Sequence, residues 1–359
     1  MTHERDETAL FFPFAEPPKH GRVTQIRPDV LWARMPLPFR LDHVNIYFLK
    51  EGDGWAALDT GIDDARTREI WETLLSGPLA GQRLTRVIVS HHHPDHIGLA
   101  GWLCARFGIP MLTSQSAYLG CMTTSINPEI LAGQHCRKFY ARHGMDAETT
   151  KRVCSGGHRY LEKVSPLPPT FSRVVFGDDL TIGQRSFEVM TFDGHSNEQV
   201  VLYCAAENLL LAGDQVIAKI SSNVSVQAQD PEGDPLGLFL RSLETLTRRI
   251  SGDALVLPGH QLPFFGLHAR CRELARHHAD RCARIEAACR ERPHSVAELV
   301  PVLFTRILDP QQLSFAFSEA HAHVNRLLRS NGMTQSLHGD GIVRFSSIGV
   351  HDRGRTAAA

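Results

Sequence analysis

From Ser90 to Gly98 the chain reads Ser-His-His-His-Pro-Asp-His-Ile-Gly. His91, His92, His93, Asp95 and His96 put four imidazoles and a carboxylate within six residues, the side chains that hold borderline metals and move protons near neutral pH. In extended backbone, residues two apart project to the same side. His91 and His93 therefore point together and His92 points the opposite way. Pro94 ends the strand, and Asp95 and His96 enter a helical turn. This density suits two metal ions a few Å apart, as in dinuclear hydrolytic sites.

Such a centre needs ligands from elsewhere in the chain, and three β-to-loop junctions offer them. They are Phe192-Asp193-Gly194-His195-Ser196, Ala212-Gly213-Asp214 and Pro258-Gly259-His260. Each places a glycine, able to turn sharply and to let backbone approach an ion, just before a His or Asp. With the histidine cluster, four strand ends would align along one edge of a sheet.

The elements that must position these groups read as follows. Val44–Leu49 and Trp55–Asp59 are β-rich runs around Glu51-Gly52-Asp53-Gly54, a hairpin signal. Asp63–Leu75 has helical periodicity, Arg86–Ser90 is a buried strand, Ile97–Phe107 a helix, and a strand starts at Pro110–Thr113. Gln115–Pro169, helical with interleaved aromatic and basic residues, reads as an insertion and a plausible lid. Strands resume at Arg173–Phe176, Phe187–Phe192, Val200–Tyr203, Leu209–Ala212 and Ala254–Leu257, with an amphipathic helix at Leu236–Ile250. Then come helices at Leu267–Arg290, Ser295–Leu308 and Gln312–Ser330, a hairpin of Met333–Leu337 and Ile342–Phe345, and a tail expected to be disordered at Asp352–Ala359. Helix, helix, ribbon is the order of a winged helix.

The segment His91-His92-His93-Pro94-Asp95-His96 resembles the H-x-H-x-D-H signature of the metallo-β-lactamase-fold superfamily, and His195, Asp214 and His260 resemble its later metal motifs in order. The set looks closest to the glyoxalase II type, and the tail resembles the branch with a C-terminal winged helix. The resemblance implies an αββα four-layer sandwich, α/β in class. The hydrolase domain is expected at residues 20–265, with the helical insertion at about 115–169, and a helical winged-helix domain at 266–350. It implies two divalent metal ions, zinc by default, with iron or manganese also acceptable to these ligands. His91, His93 and His195 would bind one, and Asp95, His96 and His260 the other, with Asp214 bridging. Asp59, in Leu58-Asp59-Thr60-Gly61, resembles a recurrent Asp that orients a ligand rather than binding metal.

Composition bounds the partners. Across 359 residues, 38 Lys and Arg stand against 39 Asp and Glu, a balance that argues against a surface built to hold nucleic acid or anionic membrane. Between Pro293 and Ala359 six Arg face five Asp or Glu, without Lys, so the tail lacks the basic face of a nucleic-acid reader. Dimerisation, as a homodimer, or capping of the site is its expected role. Eight cysteines without a C-x-x-C pair, no apolar run of 18 residues and no signal-like apolar stretch near the start give a cytoplasmic expectation. Of 20 histidines, five are candidate ligands. His158, His268, His277, His278, His321 and His323 are expected at helix surfaces or in packing.

The chemistry expected is hydrolysis of a small acyl substrate by a hydroxide shared between the metals, one of which polarises the carbonyl. Asp95 would act catalytically, orienting the nucleophile and then helping to deliver a proton to the leaving group. A thioester, of the hydroxyacylglutathione or acyl-CoA kind, ranks first because a thiolate leaves with little protonation. Lactones and other esters rank second. A metal-dependent endoribonuclease is the alternative, and a non-catalytic sensor or scaffold the third reading, weakened because no ligand position is lost.

Overall fold

A computed structural model describes residues 9–155 and 157–348, without the side chains of 157–159. The tail at Asp352–Ala359 and the side chain of His158 lie outside the described residues. The chain divides into two compact units. One comprises Met1–Ile126, Arg159–Ser222 and Glu244–Arg272; the other comprises Asn127–His158, Asn223–Leu243 and Glu273–Ala359.

The first unit holds two sheets. The larger runs in chain order: β1 (Thr24–Arg27), β2 (Val30–Pro36), β3 (His43–Glu51), β4 (Gly54–Leu58), β5 (Arg83–Ile88), β6 (Met111–Thr113) and β7 (Ser172–Arg173). It is antiparallel from β1 to β4 and parallel from β4 to β7. The smaller contains β8 (Asp179–Ile182), β9 (Arg185–Phe192), β10 (Gln199–Cys204), β11 (Leu209–Gly213) and β12 (Leu255–Pro258), in the order β12-β11-β10-β9-β8. Only β11 and β12 pair in parallel. Helices α1 (Ala65–Ser76), α2 (Pro94–Ile97), α3 (Ala100–Phe107) and α4 (Gln115–Ile126) complete its regular structure in the first stretch of chain.

The sandwich follows from alternation along the large sheet. Trp32, Tyr47, Leu49, Ala56 and Leu58 face inward and pack with Phe187, Val189, Leu202, Leu211 and Leu257 of the small sheet. Ala33, Met35, Val44, Ile46, Phe48 and Ala57 face outward, onto Trp71 and Leu74 of α1 and Leu103 of α3. A strand buried on both faces is apolar except where a polar group finds a partner, hence the largely apolar run Val44–Leu49 of β3. Each fully buried large apolar side chain contributes about 1.5–3 kcal/mol. The β3–β4 hairpin forms as expected, with Glu51 paired to Gly54 and Gly52 at φ 59°, where a side chain would strain the turn. The strand expected at Arg173–Phe176 is cut to Ser172–Arg173. Val175 N–H donates to the Asp178 carboxylate and turns the chain away.

The second unit contains α5 (Glu129–Ala132), α6 (Gln134–Arg142), α7 (Ala147–Cys154), α10 (Val296–Leu303), α11 (Pro310–Arg329) and a two-stranded sheet of β13 (Met333–Leu337) and β14 (Val343–Ser347). Helices α8 (Pro235–Arg249) and α9 (Leu267–Glu291) each span residues of both units. The helix expected over Ser295–Leu308 stops at Leu303. Phe304 is extended, and Asp309 must also be extended so that its carboxylate caps Gln312 N–H at the start of α11. Phe139 of α6 packs on Phe317 and His321 of α11, and Ala297 N–H donates to the His143 carbonyl.

No described helix is long and apolar enough to cross a membrane. All eight cysteines are free thiols, seven of them buried.

Candidate metal centre

Strand ends bring the singled-out groups together. Strands β9, β11 and β12 run the same way, so His195, Asp214 and His260 emerge at one edge of the small sheet. The His91–His96 loop follows β5 of the large sheet, so the edge is shared by two sheets rather than one. It is pinned there by Val200 N–H donating to the Ser90 carbonyl at 2.7 Å, while Asn45 N–H of β3 donates to the Gly259 carbonyl at 2.7 Å. Pro94 opens α2, and the short helix turns Asp95 and His96 toward the group.

Three sets of ligand atoms cluster: His91, His93 and His195; His91, His96 and Asp214; Asp95, His96 and His260. Asp214 lies in the middle. Its Oδ2 is 3.5 Å from His195 Nε2, 3.5 Å from His96 Nε2 and 3.2 Å from His260 Nε2. Asp95 Oδ2 is 3.4 Å from His260 Nε2 and 3.6 Å from His96 Nε2. On the other side His91 Nε2 is 2.9 Å from His93 Nδ1 and 3.3 Å from His195 Nε2. All seven singled-out ligands therefore meet in one place.

The rings are aimed from behind. His96 Nδ1–H donates to Asp59 Oδ2 at 2.8 Å, and His260 Nδ1–H donates to the His43 carbonyl at 2.6 Å. Ser90 donates its N–H and hydroxyl to the two oxygens of Asp59, and its hydroxyl lies 2.9 Å from His91 Nδ1. Since that hydroxyl already donates to Asp59, it accepts from His91 Nδ1–H. Each of these three imidazoles is thereby fixed in the tautomer that presents Nε2 to the centre. Asp59 acts as expected, orienting His96. His92 points away: its Nδ1 meets Ser196 Oγ at 3.0 Å, its carbonyl accepts from Tyr160 OH, and burial lowers its pKa to about 4.

The sequence reading passes over Asn45, Tyr47, His43 and Ser90. Asn45 donates to the carbonyls of Pro258 and Gln261, and Tyr47 OH donates to that of Pro258, so both shape the turn carrying His260. Asn45 and Tyr47 carried a signal: two polar groups, two apart, in the otherwise apolar run Val44–Leu49. His43, its pKa lowered to about 4 by burial, accepts from Gln261 N–H and receives no proton of its own at Nε2.

The electrostatics divide the cluster. Burial, then the neighbouring imidazoles, hold His91 and His93 well below the usual histidine range. Burial acts the same way on His96 and His260, but Asp214 and Asp95 override it. His96 is held well above the usual range and His260 is raised to about 10. Burial opposes ionisation of Asp95 and Asp214 too, and His96 and His260 nonetheless hold both carboxylates ionised. The buried Asp214 and the half-buried Asp95 thus lean on protons that a divalent cation would displace. The donor set fits such a cation on further grounds. Asp214 Oδ1 and His96 Nε2 are buried without a hydrogen-bond partner, a costly state that coordination relieves. Gly259 leaves the space: a Cβ there would stand 2.2 Å from Asp214 Oδ1 and 2.8 Å from His96 Cε1.

A sheet-on-sheet sandwich with a His/Asp centre at its strand ends defines a class of metal-dependent hydrolases. Residues 39–260 match the sequence model of the metallo-beta-lactamase superfamily, and 282–348 that of the metallo-beta-lactamase-like C-terminal domain. The chain belongs to the metallo-beta-lactamase superfamily and is a metallo-hydrolase by that membership. It is 36% identical to a beta-lactamase domain protein from Burkholderia ambifaria whose crystal structure superposes with a TM-score of 0.89, over 95% of this chain and 99% of that one. A metallo-beta-lactamase family protein from Thermus thermophilus is 26% identical, with a TM-score of 0.76 over 90% and 100% of the two chains. Among curated proteins, "Probable metallo-hydrolase YqjP" of Bacillus subtilis is 24% identical over 87% of this chain and 96% of its own length. Membership carries divalent-metal binding with it, and the His/Asp groups are the candidate ligands.

Proposed function

We propose a dinuclear zinc hydrolase that cleaves a small acyl substrate, a thioester first and an ester or lactone second. The observation that carries the reading is Asp214 Oδ2, within 3.5 Å of His195 on one side and of His96 and His260 on the other. A carboxylate so placed suits a bridge between two ions. His91, His93 and His195 would hold one, and Asp95, His96 and His260 the other.

When bound, the metals supply Lewis acidity toward a carbonyl oxygen and an activated water. The residues around them do the rest. Asp59, Ser90 and the His43 carbonyl keep three imidazoles aimed, so little reorganisation is needed as charge develops. Asp95 is held ionised by His96 and His260, so it accepts a proton before it can pass one on. Such a site favours a leaving group that departs as a stable anion, as a thiolate does. The order α10, α11 and the β13–β14 ribbon supports reading the C-terminal part as a winged helix.

The test pairs metal analysis with a substrate panel. Purified protein is expected to carry about two metal ions per chain. Acyl-thioesters, lactones and a single-stranded RNA are then assayed side by side. Thioester turnover that vanishes in Asp214→Ala is the expected result. Cleavage of RNA alone, or full activity without metal, would overturn the reading.

A further inference from the structure

The second unit carries an open cleft of about 740 Å³, the size of a small-molecule pocket. Its wall comes from α6, the 228–232 segment, α11 and the β13–β14 ribbon. Lys138, Arg142 and Arg329 stand around it against one carboxylate, Glu232. All four are exposed, and Lys138 and Arg142 have no acidic partner among the described residues. Arg329 is held in place by donating to the Glu232 backbone carbonyl at 2.9 Å.

Deeper in, Phe139, His143 and His321 line the cavity. Phe139 stacks on the His321 ring at 5.2 Å, and the two imidazole centroids are 4.3 Å apart. His321 is 2% exposed, yet its Nδ1 has no hydrogen-bond partner. Leu337 lines the same cleft and is left 62% exposed, a large apolar side chain without cover. A stacked ring floor, an uncovered leucine and a cationic rim describe an amphipathic occupant.

We propose that this cavity binds a small organic anion: an aromatic or aliphatic body over Phe139 and Leu337, with a phosphate or carboxylate group at Lys138, Arg142 and Arg329. Lys138 and Arg142, one turn apart on α6, and Arg329 of α11 line the same cleft, and an arginine fork can take an oxyanion in bidentate fashion. The site stands on residues separate from the metal centre and does not depend on the reading of that centre.

Calorimetric titration of the full-length, metal-loaded chain tests it. The probes are phenyl phosphate, 3-phenylpropionate, inorganic phosphate and benzyl alcohol. Phenyl phosphate or 3-phenylpropionate is expected to bind, and to bind more tightly than either inorganic phosphate or benzyl alcohol; which of the two prevails identifies the oxyanion. Binding should weaken roughly tenfold in each of Arg142→Ala and Arg329→Ala, both at exposed positions. It should persist in Asp214→Ala, which separates it from ligand capture at the metals. Binding lost in Asp214→Ala but kept in both arginine variants would overturn the proposal. So would inorganic phosphate matching phenyl phosphate, or an oligothymidylate binding more tightly than either organic probe through the same arginines.

Discussion

Asp59 and Gly259 act on the metal centre without belonging to it. Asp59 fixes His96 through a 2.8 Å hydrogen bond and also takes both donors of Ser90. Replacing one of its oxygens with an amide sets a donor against donors. Asp59→Asn is expected to weaken metal affinity by about 10–100-fold, read by competition with a chromogenic chelator. Unchanged affinity would remove Asp59 from the orienting role. Gly259 acts by absence. In Gly259→Ala the new methyl would meet Asp214 Oδ1 at 2.2 Å, so the carboxylate must move. Metal content should fall while the far-UV spectrum stays that of the parent; full metal occupancy would mean that the loop yields instead.

At the scale of elements, β3 sets the position of His260. Asn45 donates to two carbonyls of the His260 turn and accepts from Trp32 Nε1 at 3.0 Å. Asn45→Ala leaves those buried groups unsatisfied, and a loss of about 2–3 kcal/mol is expected in urea denaturation. Helices α9 and α11 carry a different liability. His278 Nδ1 and His323 Nε2 are 3.1 Å apart and buried. Burial, and for His278 also its neighbour His323, lowers their pKa values to about 2 and about 4. The sign follows: below the unfolded value near 6.5 the unfolded chain takes up protons that the folded one refuses. Stability should therefore fall as pH drops from about 6.5 to about 4, by on the order of 3 kcal/mol for His323 alone. His323→Gln should flatten that fall; an unchanged slope would place the acid sensitivity elsewhere.

Much of this was legible at these two scales, for definite reasons. The clustering His and Asp residues were visible because metal chemistry restricts residue type at each strand end, so the candidate ligands His91 through His260 could be read in order. The central strands were visible because burial on both faces leaves apolar runs. What stayed hidden depends on contacts distant in sequence. Strands β1 and β2 are short or mixed in polarity; β1 takes its form from pairing with β2, and β2 from pairing with β1 and β3. The early end of α10 follows from the cap required six residues later by α11. Nothing local in residues 127–158 declares that Phe139 meets Phe317.

For the whole molecule, metal and fold are linked. The folded chain gathers the seven candidate ligands from four strand ends; an unfolded one does not. With free zinc at a hundred times the dissociation constant, linkage gives about 2.7 kcal/mol of stability. Chelation should lower the denaturation midpoint accordingly, and the midpoint should return on adding metal. A midpoint indifferent to chelator would mean that the folded chain binds no metal of consequence.

The second unit is assembled from Asn127–His158, Asn223–Leu243 and the chain after Glu273. On the ribosome those pieces emerge in that order, and Phe139 of the first lacks Phe317 and His321 until the last is made. At about 5–20 residues per second, the stretch from 158 to 348 takes on the order of 10–40 s to synthesise. Through that interval Phe139 and its neighbours wait without the helix that covers them. The nascent chain is then open to chaperones, to proteases and to other copies of itself, and pauses in translation between these segments would lengthen that exposure.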